Sequence, residues 1–250
     1  MAMMQQRVVV MRHGDRIDHA EPLWAASNPR PWDPPLIDAG LLRAWTVGKR
    51  IRAAAAADGF RIHRVLVSPF LRCLQTAAQA AAALCALPDH LALHTSANVS
   101  IEYGLSEMMN AQAMGLVVSQ VAPTIDKWFP DLSQLEAALP PGTIDHSVEP
   151  LYPEVPKWGE SVSEARSRYA SVIKGLADKY PDENLLLVTH GECVGSSVSF
   201  FEPGVEIYEV EYCAYSVLGR QQQEEGLKLL STSGPTGIHY YYTTPQVPEH

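Results

Sequence analysis

Residues Arg7-Val8-Val9-Val10-Met11-Arg12-His13-Gly14 form an apolar, mainly β-branched run that stops at an arginine, a histidine and a glycine. Such a run, bounded by a glycine, is typical of a buried strand. We therefore predict a strand over residues 7–11 that ends in a functional loop.

Two further runs that are rich in apolar residues end in a similar way. Ile62–Val67 stops at Ser68-Pro69, and Leu185–Thr189 stops at His190-Gly191. Both are predicted to be buried strands. Weaker strand signals lie at Leu91–Val99, Ile207–Leu218 and Leu227–Leu230.

Helix signals lie between these strands. Asp38 is predicted to cap a helix that runs to Ala57, and Ser68-Pro69 to supply the N-cap and first residue of a helix to Ala86. A further helix is predicted over Ala111–Val121, and the capping box of Ser161 and Glu164 predicts a helix to about Tyr180. The alternation of strands and helices predicts an α/β fold, a three-layer sandwich with a mostly parallel sheet and helices on both faces.

The 250 residues are predicted to form a single domain, 1–250. Prolines are dense from Pro22 to Pro35, which predicts a long ordered loop. Residues 108–158 carry mixed signals and too few apolar residues for a core of their own. We therefore expect them to form an insertion over the active-site face.

Composition excludes some classes of protein. The formal net charge is −9, whereas broad nucleic-acid binding needs a basic surface. No apolar run is long enough to cross a bilayer. The four cysteines show neither metal-ligand spacing nor a dense disulfide pattern, which favours the reducing cytosol. Taken together, these features predict a cytoplasmic protein that binds neither membrane nor nucleic acid.

The chemistry-bearing residues follow the predicted strands. The carboxyl ends of parallel strands meet at one edge of the sheet, where ligands bind, so His13 and His190 are expected to face one crevice. Arg12 and Arg72 suit a phosphate because each guanidinium offers a rigid fork of donors. Arg72 also lies near the N-terminus of its predicted helix, where anions are stabilised.

Three segments carry a resemblance to a known family. They are Met11-Arg12-His13-Gly14-Asp15-Arg16, Ser68-Pro69-Phe70-Leu71-Arg72-Cys73-Leu74-Gln75-Thr76-Ala77 and Val188-Thr189-His190-Gly191. In this order they resemble the histidine phosphatase superfamily, also called phosphoglycerate-mutase-like, and Gly159-Glu160-Ser161 resembles a further short signature of it. The resemblance implies that His13 is a covalent phospho-acceptor and that Arg12, Arg72 and His190 bind the phosphoryl group. It implies no metal and no cofactor.

Two departures bear on the subgroup. The acid-phosphatase and phytase branch follows its second catalytic histidine with an aspartate, whereas here Gly191 follows His190. True mutases carry a serine and then an asparagine shortly after their Arg-His-Gly, where this chain has Arg16 and Asp18. With the cysteine after Arg72, the pattern is similar to ecdysteroid-phosphate phosphatases and the T-cell-receptor-signalling suppressor phosphatases. That similarity implies a phosphate-binding role for Arg16, and the alternative is a salt bridge from Arg16 to Asp15 or Asp18.

The reaction also needs a proton donor. Glu107 matches the position of the family's general acid better than Glu102, to which we assign a structural role, while Glu160 and Glu192 are expected to be helix-start residues. Partial burial and a dianionic phosphate are expected to raise the pKa of the acid.

The sequence thus predicts a metal-independent phosphomonoester hydrolase that works through a phosphohistidine on a small phosphomonoester or phosphoprotein. The alternatives are a phosphoglycerate-type mutase and a catalytically silent phospho-ligand-binding module. A homodimer stays open, and the sequence does not name the substrate.

Overall fold

The computed structural model describes residues 6–86, 99–125, 127–129, 132–137, 139–222, 225–234 and 237–243. The strands are β1 (Gln6–Arg12), β2 (Arg64–Val67), β3 (Val99–Ile101), β4 (Leu185–Thr189), β5 (Val205–Val210), β6 (Tyr215–Arg220), β7 (Lys228–Thr232) and β8 (Ile238–Tyr242). The helices are α1 (Ile17–Ala20), α2 (Trp24–Ser27), α3 (Asp38–Ala57), α4 (Leu71–Cys85), α5 (Ala111–Val121), α6 (Leu132–Glu136), α7 (Val162–Lys179) and α8 (Gly191–Ser199). No helix in these described parts is long and apolar enough to span a membrane.

The central sheet has six strands in the order β3-β2-β4-β1-β6-β7. The four strands from β3 to β1 are parallel, and β6 and β7 run antiparallel to their neighbours. Strands β5 and β8 form a separate antiparallel pair. The predicted α/β fold with a mostly parallel sheet is confirmed.

Strand β1 shows how the sheet is covered. Val9 and Met11 point into one core with α3 and α4, while Val8 and Val10 point into a second core with α7 and α8. Because successive side chains of a strand point to opposite faces, an apolar run without alternation needs cover on both sides. The run Val8–Met11 therefore requires helices on both faces.

The segment 108–158 joins the same packing. Met109, Phe129 and Leu135 lie in the core that contains α3 and α4. The helix predicted over Ala111–Val121 is present as α5, with a break at Gly115, whose φ is 79°. The single-domain architecture, with this segment as an insertion, stays a prediction.

Four local predictions are wrong. Asp38 is the first residue of α3 and makes no cap, because Ile37 occupies the N-cap position. Helix α4 begins at Leu71, after Phe70, so Ser68 is not its cap. The expected continuous strand Ile207–Leu218 is broken by a turn at Cys213, whose φ is 58°. One short helix, α2, interrupts the loop expected over Pro22–Pro35.

The other predicted elements differ less. The capping box of Ser161 and Glu164 is present and opens α7. The last predicted strand, Leu227–Leu230, appears as β7, shifted by one to two residues. The predicted strand Leu91–Val99 lies, apart from Val99, outside the described residues.

Candidate active site

His13 follows the last residue of β1 and is buried. Its Nδ1 lies 2.8 Å from the carbonyl oxygen of Gly14. Because a carbonyl oxygen only accepts, Nδ1 carries the proton, and the lone pair of the neutral ring is on Nε2. Burial, with the charge of Arg72 next in weight, holds the pKa of His13 well below its usual value. The ring is therefore a neutral nucleophile at neutral pH.

Gly14 fixes the loop that presents His13. A Cβ at Gly14 would lie 2.7 Å from the carbonyl oxygen of Gly40, so a side chain at this position would clash with backbone. The Gly14 amide donates to Thr76 Oγ1 (3.0 Å), and this hydroxyl donates to the carbonyl oxygen of Arg72 (2.7 Å). One threonine thus links the His13 loop to the first turn of α4.

Arg72 lies in that first turn and is 2% exposed. Its guanidinium lies over the Phe70 ring (4.4 Å from Cζ to centroid), and Nη1 donates to the carbonyl oxygen of Trp32 (3.2 Å). Nη2 lies 3.2 Å from His190 Nδ1 and 3.5 Å from Glu107 Oε2. Its buried Nε has no hydrogen-bond partner within the described chain.

Arg12, the last residue of β1, is held in a similar way. Its guanidinium lies over the ring of Tyr212 (4.2 Å from Cζ to centroid) and donates to the carbonyl oxygen of Val210. Its buried Nε also lacks a partner among the residues described. A Cβ at Gly191 would lie 3.4 Å from this Nε, so the glycine keeps the donor uncrowded. Two buried, unpaired guanidinium N–H groups suit an anion.

Arg16 makes the salt bridge that the sequence left open, and its partner is Asp18. Nε of Arg16 donates to Asp18 Oδ1 (2.9 Å), whereas Asp15 pairs with Arg43 (2.8 Å). Arg16 lines the same small cleft as Arg72. Its role as a phosphate ligand stays a prediction.

His190 is the residue before α8 and is fully buried. Its Nε2 lies 2.8 Å from Ser68 Oγ, and its ring centroid is 5.4 Å from that of His13. The crevice therefore contains both histidines, as the parallel topology requires. Burial lowers the pKa of His190 to about 4, with Arg72 acting in the same direction and Glu107 opposing. His190 is neutral in the free protein.

Glu107 faces His190, with Oε2 lying 3.2 Å from His190 Nδ1. Burial by itself would raise the pKa of Glu107, but the neighbouring His190 and Arg72 outweigh it and hold the pKa well below the usual value. Glu107 is therefore a carboxylate in the free protein, and the raised pKa expected with a dianionic phosphate bound stays a prediction.

A buried network fixes the loop that carries Glu107. Arg168 Nη1 donates to the carbonyl oxygens of Gly104 (2.6 Å) and Ser106 (3.1 Å), and Tyr169 Oη also donates to Ser106 (2.9 Å). Glu160 holds Arg168 with two 2.7 Å hydrogen bonds. Glu160 is thus a support for this loop.

Glu102 has the structural role predicted for it. Its carboxylate accepts from the backbone amides of Gly104 (3.0 Å), Leu151 (2.6 Å) and Tyr152 (2.9 Å). These bonds tie the end of the 108–158 segment to the residues after β3. Glu192 lies in the first turn of α8, as predicted, and forms an exposed ion pair with Arg166 (2.5 Å).

Sequence reasoning missed two residues of the site. Tyr212 lies 5.7 Å from the ring of His13 between centroids, and its Oη is 2.7 Å from His19 Nδ1. Tyr212 lies within the predicted strand Ile207–Leu218, and this stretch has no glycine or proline to indicate the turn beside it. Ser68 was assigned to capping, although its hydroxyl contacts His190.

One group of side chains in the described residues has the spacing of a metal site. Single ligand atoms of Glu209, Glu211 and His239 lie within 4.8 Å of one another on the β5–β8 pair. The sequence does not indicate this group, because strands β6 and β7 separate Glu209 and Glu211 from His239.

The comparisons with known proteins agree on one group. The family model of the histidine phosphatase superfamily (branch 1) matches residues 8–232. No curated protein sequence matches significantly. Among solved structures, ecdysone phosphate phosphatase from Bombix mori in complex with tungstate has a TM-score of 0.63 and 21% identity, covering 90% of this chain and 92% of that one.

Two other structures are similar at lower identity. Phosphoglycerate mutase from Bacillus anthracis str. Sterne has a TM-score of 0.57 and 14% identity, covering 92% of this chain and 93% of its own. Phosphoserine phosphatase from Entamoeba histolytica, in complex with 3-phosphoglyceric acid, has a TM-score of 0.51 and 13% identity, covering 91% and 96%. At these identities the likeness establishes the fold alone.

Proposed function

The chain belongs to the histidine phosphatase superfamily and is an enzyme of that phosphatase class, and we propose that it hydrolyses phosphomonoesters through a phosphohistidine on His13. One observation carries this proposal. The Nδ1–H of His13 is bonded to the Gly14 carbonyl oxygen, which leaves the unprotonated Nε2 as the nucleophile.

In the first step, Nε2 of His13 attacks phosphorus in line with the leaving oxygen. The P–N bond forms as the P–O bond breaks, and the leaving oxygen takes a proton from Glu107. Glu107 is ionised in the free enzyme, so it must first gain that proton. A bound phosphate neutralises the charge of Arg72 and so raises the pKa of Glu107. A phosphate monoester, with a second pKa of about 6, itself carries a proton into the site below that pH.

In the second step, water attacks the phosphohistidine. Glu107, now a carboxylate, takes a proton from the water, and His13 leaves as the neutral imidazole with which the cycle began. Glu107 thus acts as a proton donor in the first step and as a proton acceptor in the second. The distance of 3.2 Å between its Oε2 and His190 Nδ1 supports these two roles, because the His190 ring can stabilise the carboxylate form of Glu107.

The arginines stabilise the charge on the transferring phosphoryl group. Arg12 and Arg72 each keep a buried N–H without a partner in the described chain, which supports their assignment as phosphate ligands. We also propose that His190 is protonated in the substrate complex, although its pKa is lowered to about 4 in the free protein. A bound dianion raises that pKa by attraction. Fixed charges of this kind make the main contribution to phosphoryl transfer.

The two alternatives are less well supported. A phosphoglycerate-type mutase shares the fold but carries different residues where this chain has Arg16 and Asp18. A silent phospho-ligand-binding module needs neither a nucleophile nor a proton donor, and both are present here.

The four cysteines are unpaired, which supports a reducing cytosol as the location. The substrate, a small phosphomonoester or a phosphoprotein, and a homodimer stay predictions.

Hydrolysis of nitrophenyl phosphate by the purified chain tests the proposal. We expect turnover that tungstate inhibits competitively, since the ecdysone phosphate phosphatase structure of similar fold is in complex with tungstate. Transfer between phosphoglycerate positions without net hydrolysis would favour the mutase. Binding of phosphate esters without turnover of any of them would favour the silent module.

A further inference from the structure

A small cleft of about 120 Å³ beside Arg72 is lined by two unlike sets of residues. Its charged residues are Arg16, Asp18 and Arg72, which we call the charged end. The remaining residues carry no charge, and the largest of them, which we call the apolar end, are Pro31, Trp32, Met114, Leu116 and Val117. We infer that this apolar end binds the leaving group and selects phosphomonoesters of apolar alcohols or phenols. This inference rests on the proposed function, because Arg72 marks the phosphate end.

Trp32 gives the apolar end a rigid wall next to the phosphate end. Its indole Nε1–H already donates to the carbonyl oxygen of Trp128 (2.8 Å), and its ring packs edge-on against that of Trp128. The carbonyl oxygen of Trp32 accepts from Arg72 Nη1. The indole N–H and the carbonyl oxygen of Trp32 are thus both hydrogen-bonded. We therefore expect Trp32 to offer the cleft the apolar surface of its ring.

Two further residues of the apolar end are open to solvent. Leu116 is 79% exposed and Val117 is 41% exposed, although both line the cleft. They follow Gly115, whose φ of 79° breaks α5 at this point. A mainly apolar lining with a few charged groups is typical of ligand sites, in which a few polar groups orient a mainly apolar ligand.

The charged end gives little to a polar leaving group. The carboxylate of Asp18 is engaged by Arg16, and this pair lies at the phosphate end. Hydroxyl groups on the leaving alcohol would lose water against the apolar wall without gaining a partner, which costs affinity. The cleft therefore discriminates against sugar and polyol phosphates in favour of alkyl and aryl phosphates.

Alkylphosphonates test this inference without depending on hydrolysis, because their carbon–phosphorus bond is not a phosphate ester. We would measure the Kd of the wild-type protein for methyl-, propyl-, pentyl- and heptylphosphonate by calorimetry. Burial of a methylene favours binding about fourfold, so Kd should fall by about that factor per added methylene until the small cleft is full. A 2,3-dihydroxypropylphosphonate should bind more weakly than propylphosphonate.

Leu116→Asn removes part of the wall at an exposed position where folding is not at risk. It should flatten the dependence on chain length and leave the Kd for methylphosphonate unchanged. Leu42→Asn, at a leucine of α3 that is 67% exposed, is the matched control and should behave as the wild type.

A Kd that does not fall with chain length, or the same dependence in Leu116→Asn as in the wild type, would overturn the inference. Nitrophenyl phosphate hydrolysis with no chain-length dependence would refute the apolar site alone. Chain-length dependence with no hydrolysis of any ester would refute the proposed function alone.

Discussion

Nδ1 of His190 lies 3.2 Å from Oε2 of Glu107, and both side chains are buried at the base of the site. Glu107 is the carboxylate that we propose to exchange a proton with the leaving group. Protonation matters most for a poor leaving group such as an alkoxide and little for a stabilised phenolate. We expect Glu107→Gln to reduce kcat/KM for an alkyl phosphate far more than for nitrophenyl phosphate.

Glu102→Gln is the control, since this buried carboxylate lies in the same segment. Its carboxylate accepts three hydrogen bonds from backbone amides that hold the loop. The side chain of glutamine has only one oxygen, so it cannot accept all three hydrogen bonds equally well. We expect a lower free energy of unfolding and a small effect on activity that is equal for the two substrates. Selectivity in Glu102→Gln but not in Glu107→Gln would reassign the acid to Glu102.

Arg72→Lys tests the guanidinium fork. The change keeps the charge and removes the planar pair of donors, and we expect a loss of about 2–4 kcal/mol of transition-state stabilisation, measured from kcat/KM. Arg43→Lys, at an exposed arginine paired with Asp15, is the matched control and should keep wild-type kcat/KM. Wild-type kcat/KM in Arg72→Lys would make Arg72 a structural residue.

The pKa directions predict a loss of stability in acid. His190 is buried, and its pKa is lowered to about 4 in the folded protein from the usual 6.5. The unfolded chain therefore binds more protons between these values, and stability falls as pH drops from about 6.5 to 4, by up to about 3 kcal/mol for this histidine. The pKa of His13 is lowered as well and acts in the same direction.

Urea unfolding at pH 7 and pH 4.5 measures this effect. The same experiment on His13→Asn, which removes one of the two titrating rings, should give a smaller difference between the two pH values. An equal free energy of unfolding at both pH values in the wild type would mean that neither histidine is held neutral by the fold.

The proposed chemistry uses no metal ion. We expect turnover of nitrophenyl phosphate to survive exhaustive chelation, and vanadate to compete with substrate. The cluster of Glu209, Glu211 and His239 makes a useful control, because chelation would also remove an ion bound there. Loss of activity on chelation that a divalent cation restores in the wild type and in His239→Ala alike would place a metal in the reaction.

The sequence predicted those parts of the fold that depend on local pattern. Runs such as Leu185–Val188 are apolar throughout because helices cover both faces of the sheet, and the capping box of Ser161 and Glu164 is a local hydrogen-bonded unit. His13 and His190 could be brought together because strand ends of a parallel sheet share an edge.

Tertiary contacts decided the rest. Ser-Pro is as compatible with a turn as with a helix start, and here Phe70 packs on the His190 ring (5.0 Å between centroids), with α4 beginning after it. No glycine or proline indicates the turn at Cys213, so the sequence does not predict that Tyr212 lies in the site. The pKa of Glu107 depends on His190 and Arg72, two residues that are distant from it in the sequence.

The most direct test of the account is to identify the residue that carries the phosphoryl group. The wild type would be mixed with labelled substrate, quenched within the first turnovers under alkaline conditions that preserve phosphohistidine, and analysed by peptide mass spectrometry. We predict an acid-labile phosphoryl group on His13, and neither this species nor hydrolysis in a folded His13→Ala variant. A labelled residue other than His13, or substantial activity in that variant, would contradict the account.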